Sequence, residues 1–207
     1  MSYPDSAPDN GESPEGVTFL TALLIRFKEI GSARLSRTER LLAMDFYVLR
    51  DLPHSEFEEL EERLRLHLDA LSWLQRAHPR LTRLKHGHGR LKTRGFPDLR
   101  DLLVHPEDED SLEVQSVTLE RDLESLSTEE ISLVVSVVSE HFVRDLATNE
   151  DVPSDESGQA GENFYRSLER VRNAHYETDL TGFRDDMRVL IYSSAEVPPS
   201  AESEAPP

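Results

Sequence analysis

A chain of 207 residues with 23 lysines and arginines against 41 aspartates and glutamates carries a formal net charge of -18. That balance argues against a protein that coats nucleic acid or rests on an anionic membrane, since both need surplus cations. Zero cysteines exclude a disulfide framework, a thiolate nucleophile and any cysteine-ligated zinc or iron–sulfur centre, while a hydrophobic share of 37% is enough for one packed core.

Residues 1–16 set Asp5, Asp9, Glu12 and Glu15 among prolines and serines, which predicts a disordered acidic tail; no basic stretch leads into an apolar run, so no secretory signal is expected. A first helix is predicted over Val17 to Ile30, where Leu20, Leu23, Leu24 and Phe27 recur at helical spacing and Gly31 stands where a left-handed C-cap belongs. Arg26, Lys28 and Glu29 interrupt it, and it falls short of the roughly 20 apolar residues that span a bilayer. A second helix is predicted from Ser36, capped with Glu39, through Leu41, Leu42, Met44, Phe46, Val48 and Leu49 to Pro53. The third helix has the clearest pattern. Ser55 and Glu58 form a capping box, Phe57, Leu60, Leu64, Leu68 and Leu71 mark one face, and Glu59 and Glu61 stand four residues before Arg63 and Arg65. Trp73 lies off that face, and packing beneath the following hairpin is expected for it ahead of a role as a partner-binding anchor.

Leu81 to Phe96 reads as two short arms around His86-Gly87-His88-Gly89, a predicted β-hairpin. A helical turn is expected over Asp98 to Val104 and a strand over Leu112 to Leu119. A fourth helix is predicted over Thr128 to Ala147, capped by Ser127 with Glu130, although Ile131, Leu133, Val135 and Val137 also alternate as a strand would. Thr148 to Gly161 reads as a mobile loop. Glu162 to Tyr176 is amphipathic through Phe164, Leu168 and Val171, and Phe183 to Tyr192 suits a helix or a strand beginning at Arg188. Residues 193–207 repeat the acidic, proline-rich character of the first sixteen. Together these elements predict a mainly α domain over 17–192, a compact helical bundle of about five or six helices with one inserted β-hairpin, winged-helix-like in its helix, helix, hairpin order.

The candidate binding residues are those of the basic hairpin: Arg83, Lys85, His86, His88, Arg90, Lys92 and Arg94. They suit phosphate contacts. The third helix, however, would carry Glu56, Glu58, Glu59, Glu61 and Glu62 into a groove, and the acidic segment from Asp101 to Glu124 offers the hairpin a partner within the chain. His86 and His88 would share a strand face, but nothing places His78 or His105 beside them, so no metal site is expected. His141 is expected to be an ordinary helix-face histidine. No phosphate loop, dinucleotide fingerprint or nucleophile elbow occurs, so no cofactor and no catalytic residue is predicted. The resulting expectation is a non-enzymatic cytoplasmic regulator or scaffold that binds another protein through helical faces, with no membrane role and with oligomeric state left open. The alternative is a winged-helix-like, nucleic-acid-associated regulator using residues 81–100. Only three lysines, Lys28, Lys85 and Lys92, accompany the abundant acids, a balance that suits a salt-accumulating, halophilic cytoplasm; an arginine-rich coding bias with acidic ends is the other explanation.

Overall fold

The computed structural model describes residues 14–76, 82–92, 111–148, 159–174, 178–185 and 188–194. In chain order they form α1 (Pro14–Arg26), β1 (Ser32–Ser36), β2 (Leu41–Val48), α2 (His54–Gln75), β3 (Thr82–Lys92), β4 (Ser111–Asp122), α3 (Thr128–Phe142), α4 (Gln159–Asn173), β5 (Asp179–Asp185) and β6 (Arg188–Ser194). The strands make one antiparallel sheet in the order β3-β4-β2-β1-β5-β6. This α/β architecture, with four helices and six strands among the described residues, overturns the expected mainly α bundle and its winged-helix likeness.

The predicted second helix is the element that changes the fold class, because its residues form the turn after β1 and the whole of β2. Leu42, Met44, Phe46 and Val48 alternate towards the helices and join the main core, while Leu41 and Ala43 on the opposite face are also buried. A strand buried on both faces loses its period of two and reads as a broad apolar helix. The capping signal was real but served a turn: Ser36 Oγ accepts the Glu39 N–H at 3.4 Å, and Arg40 then takes a positive φ of 54° to reverse the chain. The Arg40 guanidinium donates to the carbonyls of Ala174 and Arg172, fixing the end of α4 beside this turn.

The helices lie on one face of the sheet. Leu35, Leu42, Met44, Val117, Leu119 and Leu180 on that face pack into one cluster with α1, α2, α3 and α4. At Gly182 an added Cβ would meet Leu24 at 3.0 Å and Ile191 at 2.7 Å, so α1 rests directly on β5. Phe164 of α4 stacks on Phe19 and meets Phe27 edge-on, securing α4 against α1.

The remaining expectations divide. α2 spans the predicted third helix, but Pro53 precedes it without a side-chain cap, Glu58 faces His54, and Arg63 pairs with Glu140 of α3. Residues 131–138 are helical within α3, which ends at Phe142 rather than Ala147. Gly31 is not the C-cap of α1; it is needed because the Tyr47 ring occupies the space of a Cβ, 2.2 Å from Cδ2. Within 183–192, residues 183–185 belong to β5 and residues 188–192 to β6, its antiparallel partner. The helical turn expected at 98–104 lies outside the described residues, as do most of both tails and of the 148–161 loop. Pro14, Gln159 and Ser194 belong to α1, α4 and β6.

Candidate functional site

The basic segment is a single strand, not a hairpin turning at its glycines. β3 runs straight through His86-Gly87-His88-Gly89 and pairs along its whole length with β4. Alternation therefore separates the candidate residues. Arg83 and Lys85 lie on the sheet face away from the helices, where both converge on the Glu120 carboxylate, Arg83 at 3.3 Å. His86 and His88 lie on the helix side: His86 stacks on Phe57, its Nε2 is 2.7 Å from Gln115 Oε1, and the Gln115 amide lies 3.2 Å from His88 Nδ1. Gln115 thus holds both rings. Arg90 and Lys92 are on the strand backbone, and Arg94 lies outside the described residues. Among the described residues no group of three or more histidines and carboxylates is placed to hold a metal, and no helix is long and apolar enough to cross a membrane.

Beside Glu120 the helix-free face carries a cross-strand polar ladder that sequence reasoning missed. Asp45 sits directly opposite Ser32 on one side and Thr118 on the other. Ser32 Oγ donates to Asp45 Oδ2 at 2.5 Å, Thr118 Oγ1 donates to Oδ1 at 2.6 Å, and the Tyr47 hydroxyl donates to Ser32 Oγ at 3.2 Å. Burial raises the Tyr47 hydroxyl above its usual range against the opposing bond to Ser32. Next to the ladder, Arg34, Glu39, Leu41, Glu120 and Asp179 line a shallow cleft of about 340 Å³. Two of its carboxylates have internal partners: Asp179 accepts the Arg37 N–H at 2.6 Å, and Glu120 holds Arg83 and Lys85.

Two buried arginines mark the helix side. Arg121, 1% exposed, is saturated: Nη2 donates to Glu130 at 2.8 Å, Nε to the same carboxylate, and Nη1 to Asp122 at 2.7 Å. Burial works against its charge, and the hydrogen bonds and charges of Glu130 and Asp122 outweigh it, so its pKa moves upward. Ser127 caps the Glu130 N–H at 3.1 Å, but the Glu130 side chain goes to Arg121 instead of returning to the cap. Arg184 is the opposite case. Its Nη2 donates to the Phe27 carbonyl at 2.8 Å, while Nε and Nη1 have no partner among the described residues. Burial brings its pKa down to about 10.

The largest departure from expectation is on α2. Trp73 does not pack beneath the basic strand; it is 81% exposed, with Leu66 at 68% and Leu74 at 70%. With exposed Ala70 they fall within an arc of about 100° on the helix. That arc is opposite Phe57, Leu60, Leu64 and Leu68, which bury α2 against the core.

No protein-family model, curated protein or solved structure matches this chain. The surfaces of the molecule itself are what distinguish one function from another. The ladder is internally satisfied, and so are Arg83, Lys85, His86 and His88 of the basic strand, whereas the outer stripe of α2 leaves large apolar side chains in water. The spacing of Leu66, Ala70, Trp73 and Leu74 was visible in the sequence; their exposure as one stripe was not, because Trp73 was expected to pack beneath the basic segment.

Proposed function

We propose that this chain is a non-enzymatic regulatory or scaffolding protein of the cytoplasm that binds another protein through a helical face, and that the face is the outer side of α2. The observation that carries the reading is Trp73, 81% exposed on a rigid helix between two other exposed apolar residues. A large aromatic anchor in such a setting contributes most of its binding energy only when a partner removes it from water. Isolated exposed leucines need no explanation, but three large apolar side chains along one stripe do.

The reading is tested by capture from the native source with the wild-type chain and with a Leu66→Ser, Trp73→Ser variant, followed by titration of each captured, purified protein. A true partner is lost by the variant and shifts the emission of Trp73, the only tryptophan, to shorter wavelength. Equal capture by both proteins would overturn the assignment. The nucleic-acid alternative loses support at Arg83 and Lys85, which pair with Glu120. A salt-sensitive gel shift that disappears on replacing those two residues would restore it.

A further inference from the structure

We infer that the occupant of the α2 stripe is a second copy of this chain, docked antiparallel about a twofold axis at Ala70. The inference rests on reading α2 as a binding face, and it adds the partner and the geometry. Two features of α2 support it, one of shape and one of charge.

The stripe is self-complementary under reversal. A twofold axis through Ala70 sets Leu66 opposite Leu74 of the second copy and Trp73 beside Leu66, with the small Ala70 meeting itself at the crossing. A small residue at the axis lets two helix backbones approach closely while the large residues on either side interlock. Leu66, Trp73 and Leu74 then fill each other's flanks, and no second kind of surface is required.

Charge selects the antiparallel arrangement over the parallel one. From His54 to Glu62 the helix carries Glu56, Glu58, Glu59, Glu61 and Glu62 with no lysine or arginine. From Arg63 to Arg76 it carries Arg63, Arg65 and Arg76 against Asp69 alone. Glu56, Glu58 and Arg63 face Arg50, His54 and Glu140, and Glu61 lies on the far side of the helix, which leaves Glu59 and Glu62 at one end and Arg65 and Arg76 at the other to set the polarity. A parallel pair would place acids against acids. The antiparallel pair brings Arg76 of one copy within about 3 Å, along the axis, of a position opposite Glu62 of the other.

The absence of cysteine makes the test direct. Sedimentation equilibrium of the full chain, from low micromolar to several hundred micromolar, is expected to show a reversible dimer, weakened at least about tenfold by Trp73→Asp. Ala70→Cys, at the axis, is expected to form an interchain disulfide under mild oxidation faster than Glu61→Cys, which lies on the far side of the helix. Glu62→Arg is expected to weaken the dimer, and adding Arg76→Glu to recover it. A monomeric mass at every concentration, or equal cross-linking at positions 70 and 61, would overturn the self-pairing. If the chain is monomeric yet loses a captured partner on changing Leu66 and Trp73, the binding face stands and only its occupant is wrong. If neither self-association nor capture depends on the stripe, the function proposed for α2 fails as well.

Discussion

Arg121 on β4 and Glu130 in the first turn of α3 form a two-pronged buried ion pair that ties the sheet to the helix above it. A buried charge left alone costs far more than the pair itself contributes. Arg121→Met should therefore lower stability by about 3–5 kcal/mol, measured by urea denaturation, because it leaves the buried Glu130 carboxylate without its cation. The double variant Arg121→Met, Glu130→Met should lose much less than the sum of the single changes. Simple additivity in that cycle would show that the two side chains are not coupled.

Arg184 should behave in the reverse sense. Two of its guanidinium nitrogens have no partner among the described residues, and only the Phe27 carbonyl accepts from it. Arg184→Met keeps the volume and removes the desolvated charge, so it should be neutral or stabilising by about 1–2 kcal/mol. A loss comparable to that of Arg121→Met would indicate that the unpartnered nitrogens are satisfied in solution.

The Arg50, Glu56, Asp145 and His141 group gives a pH signature. The Arg50 guanidinium bonds Glu56 and lies 2.7 Å from Asp145, and His141 Nε2 is 3.6 Å from Glu56. The hydrogen bond from Arg50 lowers the Glu56 pKa below its ordinary value near 4.5, partly opposed by burial. A carboxylate depressed in the folded state contributes stability that is full above its unfolded pKa and is lost as pH falls through the folded one. The gap in melting temperature between wild type and Glu56→Gln should thus be widest above about pH 5 and close in acid. A constant gap would assign the loss to packing.

Val143 sits at the C-cap of α3 with φ 39° and ψ -77°, exposed to solvent. A β-branched residue there is strained, and its side chain buries nothing to offset that. Val143→Gly should raise stability by about 1 kcal/mol in a thermal melt, despite the greater freedom glycine gives the unfolded chain. An unchanged or lower melting temperature would mean the turn holds no strain worth releasing.

The charge of -18 supports a fifth expectation, that the chain is adapted to high salt. Helicity followed by circular dichroism should then rise from ~0.1 M to ~3 M potassium chloride, conditions between which the screening length falls from about 10 Å to below 3 Å. Full structure at the low end would attribute the acidity to composition alone.

The parts of this fold that were legible in the sequence are those whose signals were local and unambiguous. The core face of α2 follows from the spacing of Phe57, Leu60, Leu64 and Leu68, and Ser127 announces α3. Ser36 and Glu39 misled because a side-chain oxygen accepting an N–H three residues on is common to helix caps and tight turns. The alternation of β2 was hidden by burial on both faces. Arg83 and Lys85 were recognisable as a cationic pair, but their attachment to Glu120 depends on strand register, which links residues 35 or more positions apart. The same holds for Asp45 with Thr118, separated by 73 positions.

The sheet also imposes an order on synthesis. The backbone of Arg37 meets the Asp179 carboxylate across 142 positions, and β1 gains its second neighbour only from β5. Until residues 179–194 leave the ribosome, β1 therefore presents a bare flank to other nascent chains. Protecting that flank during translation becomes part of this protein's biogenesis.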